Sequence, residues 1–127
     1  DALTKSGDVD LIVGHHAHVV QPIEKVNGVW VMYGMGNVLS NLPTDERWPA
    51  SSQDAGVFTI TMRRSTTGKV SFDSPVVHPT WVDKQNGWII RDITKLRANS
   101  NTSGVIPREL ELSLGRTTRV LGEFITP

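Results

Sequence analysis

Apolar residues in the first third of the chain fall into three short runs of strand length. These runs are residues 9–13, 23–26 and 29–33. Only Asn27-Gly28 separates the second run from the third, and this dipeptide favours the positive φ angles of a two-residue hairpin turn. The pattern therefore predicts a strand followed by a hairpin, with Lys25 facing Trp30 across the pair. Both faces of the run at 29–33 are apolar, which predicts a strand inside a sheet.

Polar residues dominate the next segment, 41–54, which also holds two prolines and reads as a long surface loop. After it, residues 56–62 alternate between apolar and polar side chains in the manner of a strand. Residues 63–69 are predicted to form a turn that leads into a return strand at 70–72. Further strand-like runs at 76–78 and 81–82 are interrupted by Pro79, and a last short strand is expected at 88–90.

Helical patterns are confined to the two ends of the chain. The first seven residues resemble the end of a helix that is closed by Gly7. Residues 99–104 form a polar connector, and a final helix follows with Pro107 in its first turn. We expect its buried face to carry Leu110, Leu114 and Leu121, with Arg116 among the solvated positions. The predicted fold class is α+β, rich in strands, with a C-terminal helix.

The composition narrows the function classes only slightly. The 127 residues suit one domain, and the 13 Lys and Arg balance the 13 Asp and Glu. That balance argues against nucleic acid as a partner, and the absence of a long apolar run argues against membrane contact by this segment. Because the chain opens on Asp1 at the end of a predicted helix, we expect it to be a piece of a longer protein.

Candidate chemistry is concentrated at His15, His16 and His18, directly after the first predicted strand. Imidazoles gathered where a strand ends are well placed to hold a divalent metal such as manganese, iron or zinc. In extended backbone His16 and His18 share a face, whereas His15 points away unless the turn rotates it. Two ligands are too few for such a site, so further donors have to come from elsewhere. The alternative is a polar turn whose histidines bind only backbone and water.

The segment DLIVGHHAHVVQPIEKVNGVWVMYGMGNVLS at 10–40 resembles the CapA family, the poly-γ-glutamate capsule-synthesis family, whose members are similar to calcineurin-like metallophosphoesterases. The shared pattern is an apolar strand, a Gly-His-His-Pro-His-like motif, a Gln, a hairpin and a Gly-Asn pair. It is close over 8–42 and loose over 54–93. Ala17 stands where the family has a proline.

This resemblance implies that 1–127 is the C-terminal part of a CapA-like metallophosphatase domain, a β core sandwiched by helices with a two-metal cleft. The Gly-His-x-His loop of that superfamily supplies two metal ligands. Carried over, the role falls on His16 and His18, with His15 as the other candidate. The implied chemistry is two-metal phosphoester hydrolysis. The upstream Asp-x-His and Gly-Asn-His motifs are absent from this sequence, so we expect no activity from the chain alone.

The same resemblance implies capsule or envelope polymer synthesis on the outer face of the bacterial membrane. An anionic polymer or phosphoester would be the substrate, and other capsule-synthesis components the partners. The alternative is a non-catalytic polymer-binding or assembly module of the same fold. Three further residues are candidates near the cleft. Gln21 would orient an imidazole or lie on a solvated strand edge. Asn37 would line the cleft or cap a turn, and Trp48 would contact a ligand from the 41–54 loop or anchor that loop on the domain.

Overall fold

A computed structural model describes residues 2–43, 45–99 and 108–125 of the chain. These described residues form three α-helices and eight strands. The helices are α1 (Ala2–Ser6), α2 (Ile93–Ala98) and α3 (Arg108–Leu121). The strands are β1 (Leu11–Val13), β2 (Ile23–Val26), β3 (Val29–Met32), β4 (Asp54–Thr59), β5 (Met62–Arg64), β6 (Val70–Phe72), β7 (Val76–Asp83) and β8 (Ile89–Asp92). Two 3-10 helices lie at Ala50–Gln53 and Gly122–Phe124. The mixture confirms the predicted α+β class with a C-terminal helix.

The first sheet has the strand order β1-β3-β2 and contains the predicted hairpin. Lys25 pairs with Trp30 across it, as the sequence predicts. The turn residues Asn27 and Gly28 have φ angles of 50° and 86°, which explains the Asn-Gly dipeptide. The strand β3 is central, in agreement with its two apolar faces. The first predicted strand is shorter than expected, since β1 begins only at Leu11.

The pairing of β1 with β3 is parallel, which the sequence pattern did not reveal. Parallel strands leave a sheet at the same end. The residues that follow Val13 and those that follow Met32 therefore emerge side by side. This arrangement brings the histidine segment next to the glycine-rich turn at 34–37.

The second sheet has the order β4-β7-β8, and β5 pairs with β6 as a separate hairpin. Two strand predictions are wrong in detail. The run at 56–62 is divided between β4 and β5. Pro79 does not interrupt β7, because β8 pairs only from Thr80 onward and leaves the edge of β7 beside the proline unpaired. A residue without an N–H is tolerated at such an edge.

Helix α2 was missed by the sequence analysis, which assigned no helix between the strands and the polar connector. It is short, and Asp92 caps its N-terminus by accepting a hydrogen bond from Lys95 N at 3.1 Å. Helix α3 confirms the predicted buried leucines 110, 114 and 121. Of the 99–104 connector only Asn99, the residue directly after α2, is described. The remainder and Pro107 lie outside the described residues.

Two hydrophobic clusters hold the elements together. The first joins the hairpin, β7 and the end of α3 through Ile23, Met32, Val77 and Leu121. The second joins α2 to the start of α3 through Ile93, Leu110 and Leu114. Helix α3 thus packs across both clusters and against β4 and β7. In the described part of the chain no helix is long and apolar enough to cross a membrane.

Candidate functional site

The histidine segment begins with a close approach between two strand ends. Gly14 N donates a hydrogen bond to Met32 O at 2.6 Å, and a Cβ on Gly14 would overlap the Tyr33 carbonyl. Beyond Gly14 the backbone turns sharply, with φ angles of 87° at His16 and 60° at His18. Left-handed backbone at a residue other than glycine is uncommon and concentrates at functional sites. The predicted extended arrangement of these histidines is therefore wrong.

Asn37 holds His18 from two sides. Its Oδ1 lies 3.0 Å from His18 Nδ1, and its Nδ2 donates to the His18 main-chain carbonyl at 3.1 Å. The same Nδ2 donates to Ser52 O at 2.8 Å, and Asn37 is 9% exposed. The sequence predicts either a turn cap or a cleft residue at Asn37. In the structure Asn37 is hydrogen-bonded to both the ring and the main chain of His18, an arrangement called the Asn37 clamp below.

These hydrogen bonds assign the tautomer of the His18 ring. Because both contacts of Asn37 Nδ2 are carbonyl oxygens, that atom is the amide nitrogen and Oδ1 is the acceptor facing the ring. His18 Nδ1 therefore carries a proton. In the neutral imidazole the lone pair is then on Nε2, which is the arrangement of a metal-ligating histidine whose other nitrogen is held by a neighbouring oxygen.

His15 is arranged differently. Its Nδ1 accepts a hydrogen bond from the His16 main-chain N–H at 2.8 Å. A nitrogen that accepts has no proton, so the proton of the neutral ring is on Nε2. Neither nitrogen of His15 then has an unused lone pair in this conformation. Among the three candidates, the geometry favours His16 and His18 as the pair with donor capacity.

The rings of His16 and His18 lie close together at the surface. Their centroids are 6.2 Å apart with planes inclined by 46°. Metal–nitrogen bonds are about 2 Å long, so rings at this separation are near enough to bind one ion or two adjacent ions. Within 2–43, 45–99 and 108–125, no group of three or more histidine or carboxylate side chains is arranged to hold a metal. The described residues therefore bring two imidazoles together without a complete ligand set, and the metal-ligating role of the histidines stays a prediction.

Trp48 brings the 41–54 loop against the histidines. Its ring meets His18 edge to face, with centroids 5.8 Å apart and planes at 89°. A tight turn places it there, since Asp45 and Trp48 exchange main-chain hydrogen bonds of 3.1 and 3.2 Å. Hydrogen bonds from the Arg47 side chain and backbone hold the pKa of Asp45 below its usual range. The loop therefore borders the histidine segment, although its ligand contact stays a prediction.

Gln21 lies beside the 34–37 turn. Its main-chain N donates to Gly34 O at 3.0 Å. Its side chain covers Gly34, where an added Cβ would be only 2.9 Å from Gln21 Oε1. No hydrogen bond of the described residues joins Gln21 to a histidine, so the structure places the residue beside the 34–37 turn instead.

Ser52, Asp54 and Arg116 contribute to the site and were not found from the sequence. The prediction that Arg116 is solvated is wrong, because its guanidinium forms a two-point ion pair with the buried Asp54. A signal was present in the helical pattern. Arg116 lies one turn after Ser113, which is fully buried, so it borders the buried face of α3.

Comparisons with known proteins point to one family. The profile of the family described as "Bacterial capsule synthesis protein PGA_cap" matches residues 1–42. The chain is also 32% identical over 100 residues to the PGA biosynthesis protein CapA of Bacillus subtilis (strain 168). That alignment covers 74% of this chain and 25% of the relative, so the chain spans about a quarter of its length. No solved structure matches the chain. On this evidence the chain belongs to the CapA family of bacterial capsule-synthesis proteins.

Proposed function

We propose that this chain supplies two ligands, His16 and His18, to a divalent-metal centre of a protein that takes part in capsule or poly-γ-glutamate synthesis. The centre would hydrolyse a phosphoester of the envelope polymer pathway. Family membership supports the capsule-synthesis role. The remaining ligands would come from residues outside the described set.

The observation that supports a metal-ligating role most directly is the Asn37 clamp on His18. It fixes the ring, keeps the proton on Nδ1 and directs the Nε2 lone pair away from the amide. Partners of this kind raise the basicity of a ligating imidazole and hold its orientation. A histidine of a merely polar turn needs neither a buried amide nor a fixed tautomer.

Four residues have separate tasks in this proposal. His16 and His18 hold the metal, and Asn37 limits the rotation of the His18 ring. Trp48 packs against that ring and would restrict access of water. When bound there, a pair of divalent cations would supply hydroxide at neutral pH and would neutralise charge on the phosphoester oxygens.

The cellular setting is proposed on family grounds. Capsule-synthesis proteins are associated with the cell envelope, which supports a position on the outer face of the membrane. The substrate class is an anionic envelope polymer or a phosphoester intermediate. Other components of the capsule-synthesis machinery are the proposed partners.

A second candidate function is polymer binding or assembly without hydrolysis. It is favoured by Trp48, a half-buried aromatic residue on an otherwise polar loop beside the histidines. An aromatic ring in such a position can pack on the apolar edge of a polymer at little entropic cost. The two candidates share the fold and differ in whether the loop holds a catalytic metal.

Metal content and phosphoesterase turnover distinguish the two candidate functions. The protein at its full natural length, its His16→Ala/His18→Ala variant and a His78→Ala control are purified under identical conditions and analysed for metals. His78 is half-buried on β7, in the second sheet, so its variant controls for loss of a histidine outside the 15–18 segment. We expect the double variant to lose metal and phosphoesterase turnover, with the control unchanged. Equal metal content in all three proteins would overturn the proposal. If the double variant loses metal but the unmodified protein does not hydrolyse phosphoesters, the result favours the binding module.

A further inference from the structure

We propose that the ion pair between Arg116 and Asp54 is a positioning device for His18. In this arrangement, helix α3 fixes the backbone that carries Asn37, and Asn37 in turn fixes the imidazole. The inference rests on the proposed function, because the property that it tunes is the readiness of His18 to bind a metal. It assigns a role to α3, which contributes no ligand of its own.

The ion pair is short, bidentate and largely buried. Arg116 Nε lies 2.6 Å from Asp54 Oδ2, and Arg116 Nη2 lies 2.8 Å from Asp54 Oδ1. The Asp54 side chain is 2% exposed and that of Arg116 is 23% exposed. A planar guanidinium that binds both oxygens of a carboxylate fixes its orientation as well as its position. Asp54 is therefore held by α3 with little freedom.

The main chain of Asp54 transmits this constraint to the site. Its carbonyl accepts a hydrogen bond from Asn37 N at 3.1 Å. On either side of that contact, Gly36 bridges to Ala55 and Gly56 N donates to Met35 O at 3.0 Å. The start of β4 and the 34–37 turn thus form one continuous hydrogen-bonded unit. A shift of Asp54 has to move Asn37.

A second hydrogen bond that holds Asn37 also depends on an element packed against α3. The Asn37 amide donates to Ser52 O, in the 3-10 helix that precedes Asp54. Helix α3 packs against this 3-10 helix as well as against β4. Both anchors of the Asn37 clamp, the Asp54 carbonyl and the Ser52 carbonyl, are therefore backed by the same helix.

The ion pair is not part of the hydrophobic clusters that hold the fold. Those clusters lie at Ile23, Met32, Val77 and Leu121, and at Ile93, Leu110 and Leu114. Replacing the charged pair by a neutral one should therefore leave the fold intact while loosening the main chain at Asp54. Replacing only one partner would leave a buried charge alone and destabilise the protein for a different reason.

The test compares the Asp54→Asn/Arg116→Gln double variant with Arg119→Gln. Arg119 lies on the same helix but is exposed, so its variant controls for loss of one guanidinium from α3. Both are made in the protein at its full natural length. Nitrogen-15 NMR of the imidazole rings reports the tautomer of His18 without any metal, and titration with Co²⁺ reports affinity. Circular dichroism confirms folding.

We expect the double variant to fold, to show mixed tautomers of His18 and to bind Co²⁺ roughly tenfold more weakly, as is common for loss of an outer support of a ligand. Arg119→Gln should match the unmodified protein. A folded double variant with a pure Nδ1–H tautomer and unchanged affinity would overturn the positioning role. If the double variant does not fold, Arg116→Lys gives the same readouts, since an ammonium keeps the charge but cannot bridge both oxygens.

These outcomes are separate from failure of the proposed function. If His16→Ala/His18→Ala leaves Co²⁺ binding unchanged, the metal proposal fails. The tautomer of His18 in the Asp54→Asn/Arg116→Gln variant still decides whether α3 positions the ring.

Discussion

The main chain of Asp54 passes so close to Gly36 that any side chain at position 36 would overlap the Asp54 carbonyl. An added Cβ would also lie 2.9 Å from Ala55 Cα, and Gly36 has a φ angle of 74°. Glycine is therefore required here twice, once for the close approach and once for the backbone conformation. The contact places Asn37 within reach of His18.

Substitution of this glycine should be costly. We expect Gly36→Ala to lower the free energy of unfolding by at least about 2 kcal/mol, because alanine is strained at positive φ and the two backbones have to separate. Chemical denaturation measures the change. Gly115→Ala is the control, since Gly115 lies on α3 with open space around its Cα, and a gain of about 0.5–1 kcal/mol is expected there. Equal stabilities for the two variants would contradict the steric argument.

Removal of the Asn37 side chain should affect stability and metal affinity together. Asn37→Ala leaves two carbonyls without their donor, which we expect to cost about 1–3 kcal/mol. It also frees the His18 ring, for which a loss of about 10–100-fold in divalent-metal affinity is expected. Thermal denaturation and metal titration supply the two measurements. Asn41→Ala, at an exposed position of the neighbouring loop, should change neither. A variant with normal metal affinity would remove the main support for His18 as a ligand.

Trp48→Ala tests the role of the 41–54 loop. The edge-to-face contact with His18 is worth about 0.5–1.5 kcal/mol beyond the area that Trp48 buries. Because Trp48 is only half-buried, a small decrease in melting temperature is expected. If the loop covers a substrate cleft, polymer binding or turnover by the protein at its full natural length should fall more clearly. Trp48→Phe should restore part of the effect. A large drop in melting temperature with unaltered substrate affinity would show that Trp48 only anchors the loop.

Acid should destabilise the protein partly through Asp83. Burial raises the pKa of this carboxyl, but hydrogen bonds from Asn86 and Arg91 outweigh burial and leave the pKa below its usual value of 3.8. The folded state therefore binds fewer protons than the unfolded state near that pH. The stabilisation that results is present above about pH 3.8 and is lost as the pH falls through the lower, folded pKa.

Asp83→Asn removes this titration. We expect the variant to be less stable than the unmodified protein at pH 7, with a smaller further loss on acidification below about pH 4. Thermal melts over a pH series measure both effects. Asp8→Asn, at an exposed position, serves as the control. If the two variants have the same acid dependence as the unmodified protein, Asp83 is not an acid-sensitive group.

Local signals predicted the elements that depend on near neighbours. The Asn27-Gly28 turn fixed the hairpin and its register, because the turn residues alone determine which residues face each other. The leucines of α3 were predicted from their spacing in the same way. The histidine cluster was visible for an equally local reason, since three imidazoles in four positions need no fold to be noticed.

The sequence by itself therefore determined the class of the fold, the hairpin, the buried face of α3 and the family. Only the tertiary structure decided which imidazole is held, which residue holds it and through which hydrogen bonds. Asn37 reaches His18 across 19 positions of sequence, and Arg116 reaches Asp54 across 62. Such contacts depend on how β1 and β3 align and on how α3 packs over β4. Those arrangements follow from the sum of many weak apolar contacts, which no local pattern of residues records.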